Sequence, residues 1–211
     1  MSTGEQIAAY DFDSSLFINT IEVSSNDKFI ILGGNQGCMF FFSIDKGNLI
    51  ASYDTHETIT SLAISNDNVN VFAGHSNGKI SKFFINESPQ IYIENSIIID
   101  KVKIMYMTIT NDNKYLFASN LKYQLFQICI VTKKIVIIYN AVHDNSSPLT
   151  LSPNSKSLFT LGFNKNILQI SIEKRKIFRA IGQKTNHLIT CIILRKNANY
   201  VVAAYEDGRI L

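Results

Sequence analysis

Short apolar runs separated by polar turns follow one another along the whole chain. One stretch, SNDNVNVFAGHSNGKI at residues 65–80, holds a polar turn, an apolar run, a second polar turn and a new apolar run. Apolar runs rich in β-branched and aromatic residues, bounded by polar turns, predict a β-hairpin. Asn77-Gly78 and Asp207-Gly208 are strong hairpin-turn dipeptides, because a type I′ turn needs positive φ at both central residues.

The same pattern recurs at nearly constant spacing. A polar residue marks the first turn of each copy, and we call it the anchor; the anchors are Asn26, Asp67, Asp112, Asn154 and Asn197. Successive anchors are separated by 41, 45, 42 and 43 residues. A second turn comes eleven residues after each anchor, at Gly37, Gly78, Tyr123, Lys165 and Gly208. This agreement over five copies indicates an internal repeat.

Each repeat predicts four short strands. The second repeat contains the runs ITSLAI, VNVFAG, KISKFFI and QIYIEN. No window shows sustained helical periodicity with capping residues, so the sequence predicts almost no helix. The fold class that follows is all-β, with four-stranded antiparallel units.

A period of 40 to 45 residues with four strands per unit resembles the WD40 family of β-propellers. Three histidines match the family's Gly-His position before the anchors, at His56, His143 and His187. The chain contains no tryptophan, and other apolar residues stand where the family has it, at Phe42, Phe83, Ile128 and Ile170. These departures predict that the family's hydrogen-bonded network is incomplete in every blade and that apolar packing between sheets holds the blades together.

The resemblance covers essentially all of residues 1–211 and implies a single WD40-like propeller domain or partial propeller, with about five blades' worth of sequence. The repeats span approximately 12–53, 54–95, 96–140, 141–182 and 183–211, with an outer strand supplied by residues 1–11. That outer strand is expected because TGEQIAAY (3–10) matches KGNLIASY (46–53). Two alternatives stay open: a ring closed by pairing the two ends of the chain, or a piece of a longer array with an exposed apolar blade face.

Composition and charge narrow the class of protein. Apolar residues make up 46% of the chain, charged residues 18%, and the net charge is +3. These values exclude a disordered chain and argue against nucleic acid as the main partner. With no secretory signal and no apolar run long enough to cross a bilayer, we expect a soluble intracellular, cytoplasmic protein without membrane insertion, a cytoskeletal or ciliary scaffold being one case. The spacing of Cys38, Cys129 and Cys191 predicts buried thiols, with neither disulfides nor a zinc site.

No set of residues in the sequence predicts catalysis. The glycine-rich stretch 33–37 leads into a strand and not into a helix, so it predicts a tight turn and no phosphate loop. A His56–His75 metal pair lacks a third ligand at any recognisable spacing. We therefore expect no enzyme, no cofactor and no metal. The histidines at the repeated position are expected to be structural, and His75, which lies outside the repeat pattern, is expected to be the least structural of the four.

The resemblance implies a non-enzymatic scaffold that binds other proteins through its loops. The expected binding face is built from the loops between blades and the second turns. Its candidate residues are Asp11, Phe12, Asp13, His56, His75, Asn77, Lys122, Asn164 and Asp207. Phe12 either anchors a partner or tucks under its own loop.

A basic cluster offers an alternative. Its members, in the fourth repeat, are Lys174, Arg175, Lys176 and Arg179. Basic residues on an outer strand discourage edge-to-edge pairing, and they also suit an acidic protein or a nucleic acid. A second alternative is a hydrolase or lyase centred on the propeller channel, for which the predicted inner strands offer only Glu22 as an acid.

Overall fold

The computed structural model describes residues 9–85, 92–140, 148–163, 165–182, 187–194 and 200–210, and its strands form five antiparallel sheets. We number the sheets as blades 1 to 5. Blade 1 holds β1 Ile18–Val23, β2 Phe29–Gly34, β3 Cys38–Ser43 and β4 Asn48–Asp54. Blade 2 holds β5 Ile59–Ile64, β6 Asn70–His75, β7 Lys79–Phe84 and β8 Tyr92–Ile98.

The next two blades repeat this arrangement. Blade 3 holds β9 Ile104–Ile109, β10 Tyr115–Asn120, β11 Leu125–Cys129 and β12 Lys134–Tyr139. Blade 4 holds β13 Thr150–Leu151, β14 Ser157–Leu161, β15 Ile167–Ser171 and β16 Lys176–Ile181. Blade 5 holds β17 Ile189–Leu194 and β18 Val201–Tyr205, and an isolated bridge joins Ala204 to Ile210.

In blades 1 to 4 each strand pairs with the next strand in sequence, so every blade is a four-stranded antiparallel meander. The predicted all-β propeller fold is therefore confirmed. The predicted strand QIYIEN of blade 2 is shifted, since β8 reaches Ile98. In the described part of the chain the one helical element is the 3₁₀ turn Asn35–Gly37 inside the glycine-rich stretch, and no helix there could cross a membrane.

The core is divided among the spaces between neighbouring blades. One apolar cluster lies between blades 1 and 2 and contains Ile31, Leu62 and Phe83. Equivalent clusters fill the spaces between blades 2 and 3, 3 and 4, and 4 and 5. Inner strands such as β6 and β10 are buried on both faces because they lie between two neighbours, which explains their near-continuous apolar sequence.

The anchors form the same turn in each described repeat. Two residues before the anchor, a Ser or Thr hydroxyl accepts a hydrogen bond from the backbone N–H five residues further on. The four pairs are Phe29 to Ser24 at 2.9 Å, Asn70 to Ser65 at 2.9 Å, Tyr115 to Thr110 at 3.0 Å and Ser157 to Ser152 at 2.9 Å. The residue after the anchor has positive φ each time, at Asp27, Asn68, Asn113 and Ser155. The fifth anchor, Asn197, lies outside the described residues.

These turns also join one blade to the next. The backbone N–H of Ser25 donates to Asn68 Oδ1 at 2.8 Å, and that of Asn66 donates to Asn113 Oδ1 at 2.8 Å. In the next interface the N–H of Asn111 donates to Ser155 Oγ at 2.9 Å. We call this contact the turn clasp. It supplies a polar link between blades in a chain that has no tryptophan for the family's network.

The segment before β1 occupies the place of an outer strand. The ring of Tyr10 lies 4.5 Å from that of Phe42, as the ring of Tyr53 at the end of β4 lies 5.4 Å from that of Phe83. The Tyr10 hydroxyl also donates to the Gly47 carbonyl. Most of the stretch 3–10 that suggested an outer strand lies outside the described residues.

The expectation of buried thiols is only partly right. Cys38 and Cys129 are half-buried at strand ends, and Cys191 is exposed on β17. Cys191 is exposed because its side of β17 faces no described blade. All three cysteines are free.

Candidate protein-binding face

Two kinds of loop meet on one side of the propeller. A backbone N–H of the second turn donates to a carbonyl of the loop that precedes the blade. The four described bonds are Asn35 to Phe17, Ser76 to Thr58, Leu121 to Lys103 and Glu206 to Leu188. We call this side the loop face; its described residues are 9–17, 35–37, 55–58, 76–78, 99–103, 121–124, 162–163, 165–166, 187–188 and 206–208. The turn clasps lie at the other ends of the inner strands.

The first loop carries three of the predicted residues. Asp11 and Asp13 are exposed, and the Asp13 carboxylate accepts the backbone N–H of Ser15 at 2.9 Å. That hydrogen bond holds the pKa of Asp13 below its usual value. The ring of Phe12 is half-buried, 4.8 Å from the ring of Phe40. Phe12 thus contacts the first blade beneath the loop.

Blade 2 contributes one exposed histidine and one turn asparagine. His56 is exposed with positive φ, and its Nδ1 lies 3.1 Å from Asp54 Oδ2. Asn77 is exposed and its side-chain oxygen accepts the backbone N–H of Lys79 at 3.1 Å. The expectation of a structural role for the repeated histidine position is not met at His56, because the ring projects into solvent. His143 lies outside the described residues.

His75 requires a correction. The sequence placed it among the candidate residues of the binding face, but it ends β6 and is fully buried. Its Nδ1 lies 3.2 Å from the Glu57 carbonyl and its Nε2 lies 3.0 Å from Ser81 Oγ. Burial holds the pKa of His75 below its usual value, because the charged form of the ring is disfavoured away from water. His75 is therefore a structural residue that ties strand to loop, and it is not part of the loop face.

Ion pairs form at two places on the loop face. Lys122 Nζ lies 3.1 Å from Asp100 Oδ2, joining the second turn of blade 3 to the loop before it. This hydrogen bond holds the pKa of Asp100 below its usual value. Asp207 pairs with Arg209 Nε at 2.7 Å and with His187 Nδ1 at 3.5 Å. The predicted residue Asn164 lies outside the described residues.

Exposed aromatic residues on this face were missed by the sequence reasoning. Phe17 lies just before β1, Tyr123 lies in the second turn of blade 3, and Phe163 lies in that of blade 4; all three are exposed. Tyr123 occupies the repeat position that holds glycine in blades 1, 2 and 5, so the position itself indicated a turn side chain facing solvent. Large exposed aromatics on loops are typical contacts at protein interfaces.

The basic cluster lies away from this face. Lys174 and Arg175 are in the turn before β16, and Lys176 and Arg179 are on β16, the outer strand of blade 4. All four are exposed, and Arg179 Nε donates to Gln169 Oε1 at 2.7 Å. They form a charged rim on an unpaired strand edge.

Glu22 lies at the channel side of the blades. It borders a cavity of about 230 Å³ lined by inner-strand residues of blades 1 to 3, among them Ala63, Met107 and Thr108. Burial raises the pKa of Glu22 to about 7. No other described residue that lines the cavity is charged. Within the described ranges, no group of three or more His, Cys, Asp or Glu side chains could hold a metal ion.

Comparison with known proteins agrees with this geometry. The family model for the WD40 repeat, described as WD domain, G-beta repeat, matches residues 47–82, which run from β4 to β7. Among curated proteins, none matches this chain in sequence.

The fold is shared with solved structures. A chain in a crystal structure of the mitotic checkpoint complex is similar with a TM-score of 0.84 and 11% identity, over 95% of this chain. This chain spans 63% of the length of that one. An identity this low establishes the fold alone. On these findings, the chain carries a WD repeat at residues 47–82 and has the β-propeller fold of the WD40 family.

Proposed function

We propose that this chain is a non-enzymatic scaffold module that binds another protein through its loop face. The observation that carries the proposal is the set of exposed aromatic residues, Phe17, Tyr123 and Phe163, on loops of one face. A rigid β-sheet framework that presents variable loops is a frequent basis for protein binding. Aromatic side chains supply large contact area at low entropic cost, which is why they dominate binding energies at interfaces.

The electrostatics of the loop face support a protein partner. Asp100 pairs with Lys122 on this face, and Asp207 pairs with Arg209 at its border, so both signs of charge are present and paired there. A face that bound a phosphate backbone would need an excess of unpaired basic groups. We also propose that the protein acts inside the cell, in the cytoplasm, since free thiols suit a reducing compartment.

The test is affinity purification with the wild-type chain and with a triple variant, Phe17→Ala, Tyr123→Ala and Phe163→Ala. Loss of three interface aromatics is expected to weaken partner capture at least about 30-fold. The matched control is Phe178→Ala, an exposed phenylalanine on the outer strand β16, which should leave capture unchanged. Capture of the same partners by the triple variant, with an unchanged melting temperature, would overturn the proposal.

The basic rim supports a second candidate, binding of an acidic protein or nucleic acid. Within the described residues, none of Lys174, Arg175, Lys176 and Arg179 forms an ion pair with a carboxylate. Replacing all four with Glu should abolish such binding, and wild-type binding should weaken steeply between about 50 mM and 200 mM salt. Binding that is indifferent to both changes would exclude the rim.

A further inference from the structure

Basic residues gather on the side of blades 3 and 4 that carries the turn clasps. The first turns of both blades and the turns before β12 and β16 all lie on this side, because alternate turns of an antiparallel meander lie at the same end of its strands. These turns span residues 110–115, 130–134, 152–157 and 172–176. They hold the acids Asp112 and Glu173 and the basic residues Lys114, Lys133, Lys134, Lys156, Lys174, Arg175 and Lys176. The positive charge in excess here is larger than the net charge of +3 of the whole chain, so it is a local feature.

A groove of about 520 Å³ lies between blades 3 and 4 within this basic region. Its walls are the first turn of blade 3, the first turn of blade 4 and the turn before β16. Buried Ile172 and half-buried Tyr115 form its floor, as part of the apolar cluster between the two blades. The turn clasp from Asn111 to Ser155 joins two of the walls. The groove therefore lies between two four-stranded blades, in the interior of the repeat array.

The cationic side chains at the groove differ in how far they are neutralised. Lys114 Nζ lies 3.5 Å from Asp112 Oδ2, so these two charges offset each other. Lys156 and Arg175 are exposed, and neither forms an ion pair with a carboxylate among the described residues. The groove thus offers two unpaired cationic groups on its blade 4 side, next to an apolar floor.

The backbone at Arg175 favours glycine, although the chain has a basic side chain there. Arg175 has φ of +52° in the turn SIEKRK, and the matching turn SIDKGN of blade 1 has Gly47 with φ of +56°. Glycine adopts this conformation without a steric penalty, whereas a residue with a Cβ does not. The turn itself does not require arginine, which indicates a role for the guanidinium at the groove.

The charge pattern of the groove fits an acidic peptide better than a nucleic acid. Carboxylates of a peptide can form charge-assisted hydrogen bonds with Lys156 and Arg175, and an apolar side chain of the same peptide can reach the floor. A nucleic-acid backbone carries a negative charge at every nucleotide and would also bring charge to Asp112 and Glu173. A peptide can place uncharged residues beside these two acids.

We propose that the groove between blades 3 and 4 binds a segment of a partner protein that is rich in Asp and Glu. Lys156 and Arg175 pair with carboxylates of this segment, and an apolar side chain of the segment contacts the floor. The inference rests on the second candidate function, binding by the basic rim, and it names the chemistry of the partner and the groove as the place of contact. Lys176 and Arg179 lie on β16 outside the groove and take no part in the contact.

The test measures binding of a short fluorescent peptide of Asp, Glu and Leu to the full 211-residue chain by fluorescence anisotropy. The comparison ligands are the same peptide with Asn and Gln in place of the acids, and a single-stranded DNA of equal charge. The double variant Lys156→Gln with Arg175→Gln should bind the acidic peptide at least about tenfold more weakly. The control, Lys176→Gln with Arg179→Gln, removes the same charge outside the groove and should weaken binding less than about threefold.

A glycine variant separates binding from folding. Arg175→Gly should weaken binding of the acidic peptide at least about fivefold, while the free energy of unfolding stays equal or rises, because glycine suits the positive φ. Lys133→Gly is the matched control, since Lys133 has φ of +58° in the equivalent turn before β12 and does not line the groove. Its affinity for the peptide should stay within about threefold of the wild type.

Several outcomes would overturn the proposal. A wild-type Kd above about 1 mM at low salt would exclude both the groove and the basic rim as sites for acidic peptides. Binding that is lost in the Lys176 and Arg179 control but kept in the Lys156 and Arg175 variant would leave the rim as the site and exclude the groove. Equally tight binding of the DNA or of the uncharged peptide would exclude selective recognition of an acidic peptide.

The loop-face variant keeps this test apart from the main proposed function. The triple variant Phe17→Ala, Tyr123→Ala and Phe163→Ala should bind the acidic peptide as the wild type does, because its substitutions lie at the other ends of the blades. Loss of peptide binding in this variant, with its melting temperature unchanged, would place the peptide on the loop face and overturn the groove.

Discussion

At the scale of single residues, the histidines show that place in the fold decides their role. His56 stands at the repeated position of the family, yet its ring is exposed beside Asp54. His75 stands outside the repeat, yet it is buried with both ring nitrogens near oxygen atoms, of Glu57 and Ser81. The loop before β5 turns its side chains to water, whereas the end of β6 lies between the loop and β7. A repeated position is therefore not evidence of a structural role by itself.

Glu22 should make stability depend on pH. Its pKa in the folded chain is about 7, above its ordinary value of 4.5. Well below pH 4.5 the Glu22 carboxyl is protonated in both states; as the pH rises through 4.5 towards 7 the unfolded state ionises first, so folding stability falls. Relative to Glu22→Gln, the wild type should lose about 3 kcal/mol between pH 4 and pH 8. Urea unfolding of both chains across this range measures the difference.

The comparison of Glu22→Gln with the wild type isolates the Glu22 carboxyl from the other titrating groups. Glu173→Gln is the matched control, since Glu173 is exposed in the turn before β16. Its unfolding free energy should follow the wild type at every pH. A wild type and a Glu22→Gln variant with parallel pH profiles would contradict the burial of this carboxyl.

At the scale of the strand and turn, two glycines have nearly the same positive φ but differ in how closely other atoms surround them. Gly78 and Gly208 stand at the same repeat position with φ of +82° and +86°. A Cβ on Gly78 would lie 1.6 Å from the Asp100 carbonyl oxygen, whereas a Cβ on Gly208 would meet no atom within 4 Å. The turn of blade 2 is therefore fixed against the loop that follows blade 2, whereas among the described residues Gly208 in the turn of blade 5 has no such contact.

Substitution by alanine should reveal this difference. Gly208→Ala carries only the strain of positive φ and should cost about 1 kcal/mol of unfolding free energy. Gly78→Ala must also displace the loop at residue 100 and should cost more than about 3 kcal/mol. Chemical denaturation of the two variants measures both values. Equal losses would show that the loop before β9 yields to the added methyl group.

At the scale of the whole molecule, stability is built from interfaces between neighbours. Blades 2, 3 and 4 have a described neighbour on both sides, and blades 1 and 5 on one side. A repeat protein of this kind has a stability close to the sum of its units and their interfaces. The end blades should therefore open at lower free energy than the middle ones.

Native-state hydrogen exchange at low protein concentration should show this gradient. Amides of β6 and β10 should be the most protected, because both strands are buried between two blades. Amides of β1 and β18, which belong to the blades with a described neighbour on one side only, should exchange at least about tenfold faster. Uniform protection across the five blades would mean that the sheets unfold as one unit.

Much of the architecture follows from local sequence. The period of the anchors, the β-branched and aromatic runs and the turn dipeptides determined four-stranded antiparallel units, because strand periodicity and turn chemistry act over a few residues. The Ser or Thr before each anchor determined the turn geometry in the same way. The loop positions of His56, Asn77 and Lys122 were also predictable, since each follows or precedes a strand run of known register.

Only the tertiary structure decided how the blades meet. The burial of His75, the exposure of Ile21 and Ile193, and the gathering of Phe17, Tyr123 and Phe163 on one face depend on contacts between residues far apart in sequence. Identical apolar residues at equivalent repeat positions are core in one blade and surface in another, because burial is set by the neighbouring blade and not by the strand itself. The sequence determined the unit that repeats, and the stacking of the units decided which of its surfaces remain available for binding.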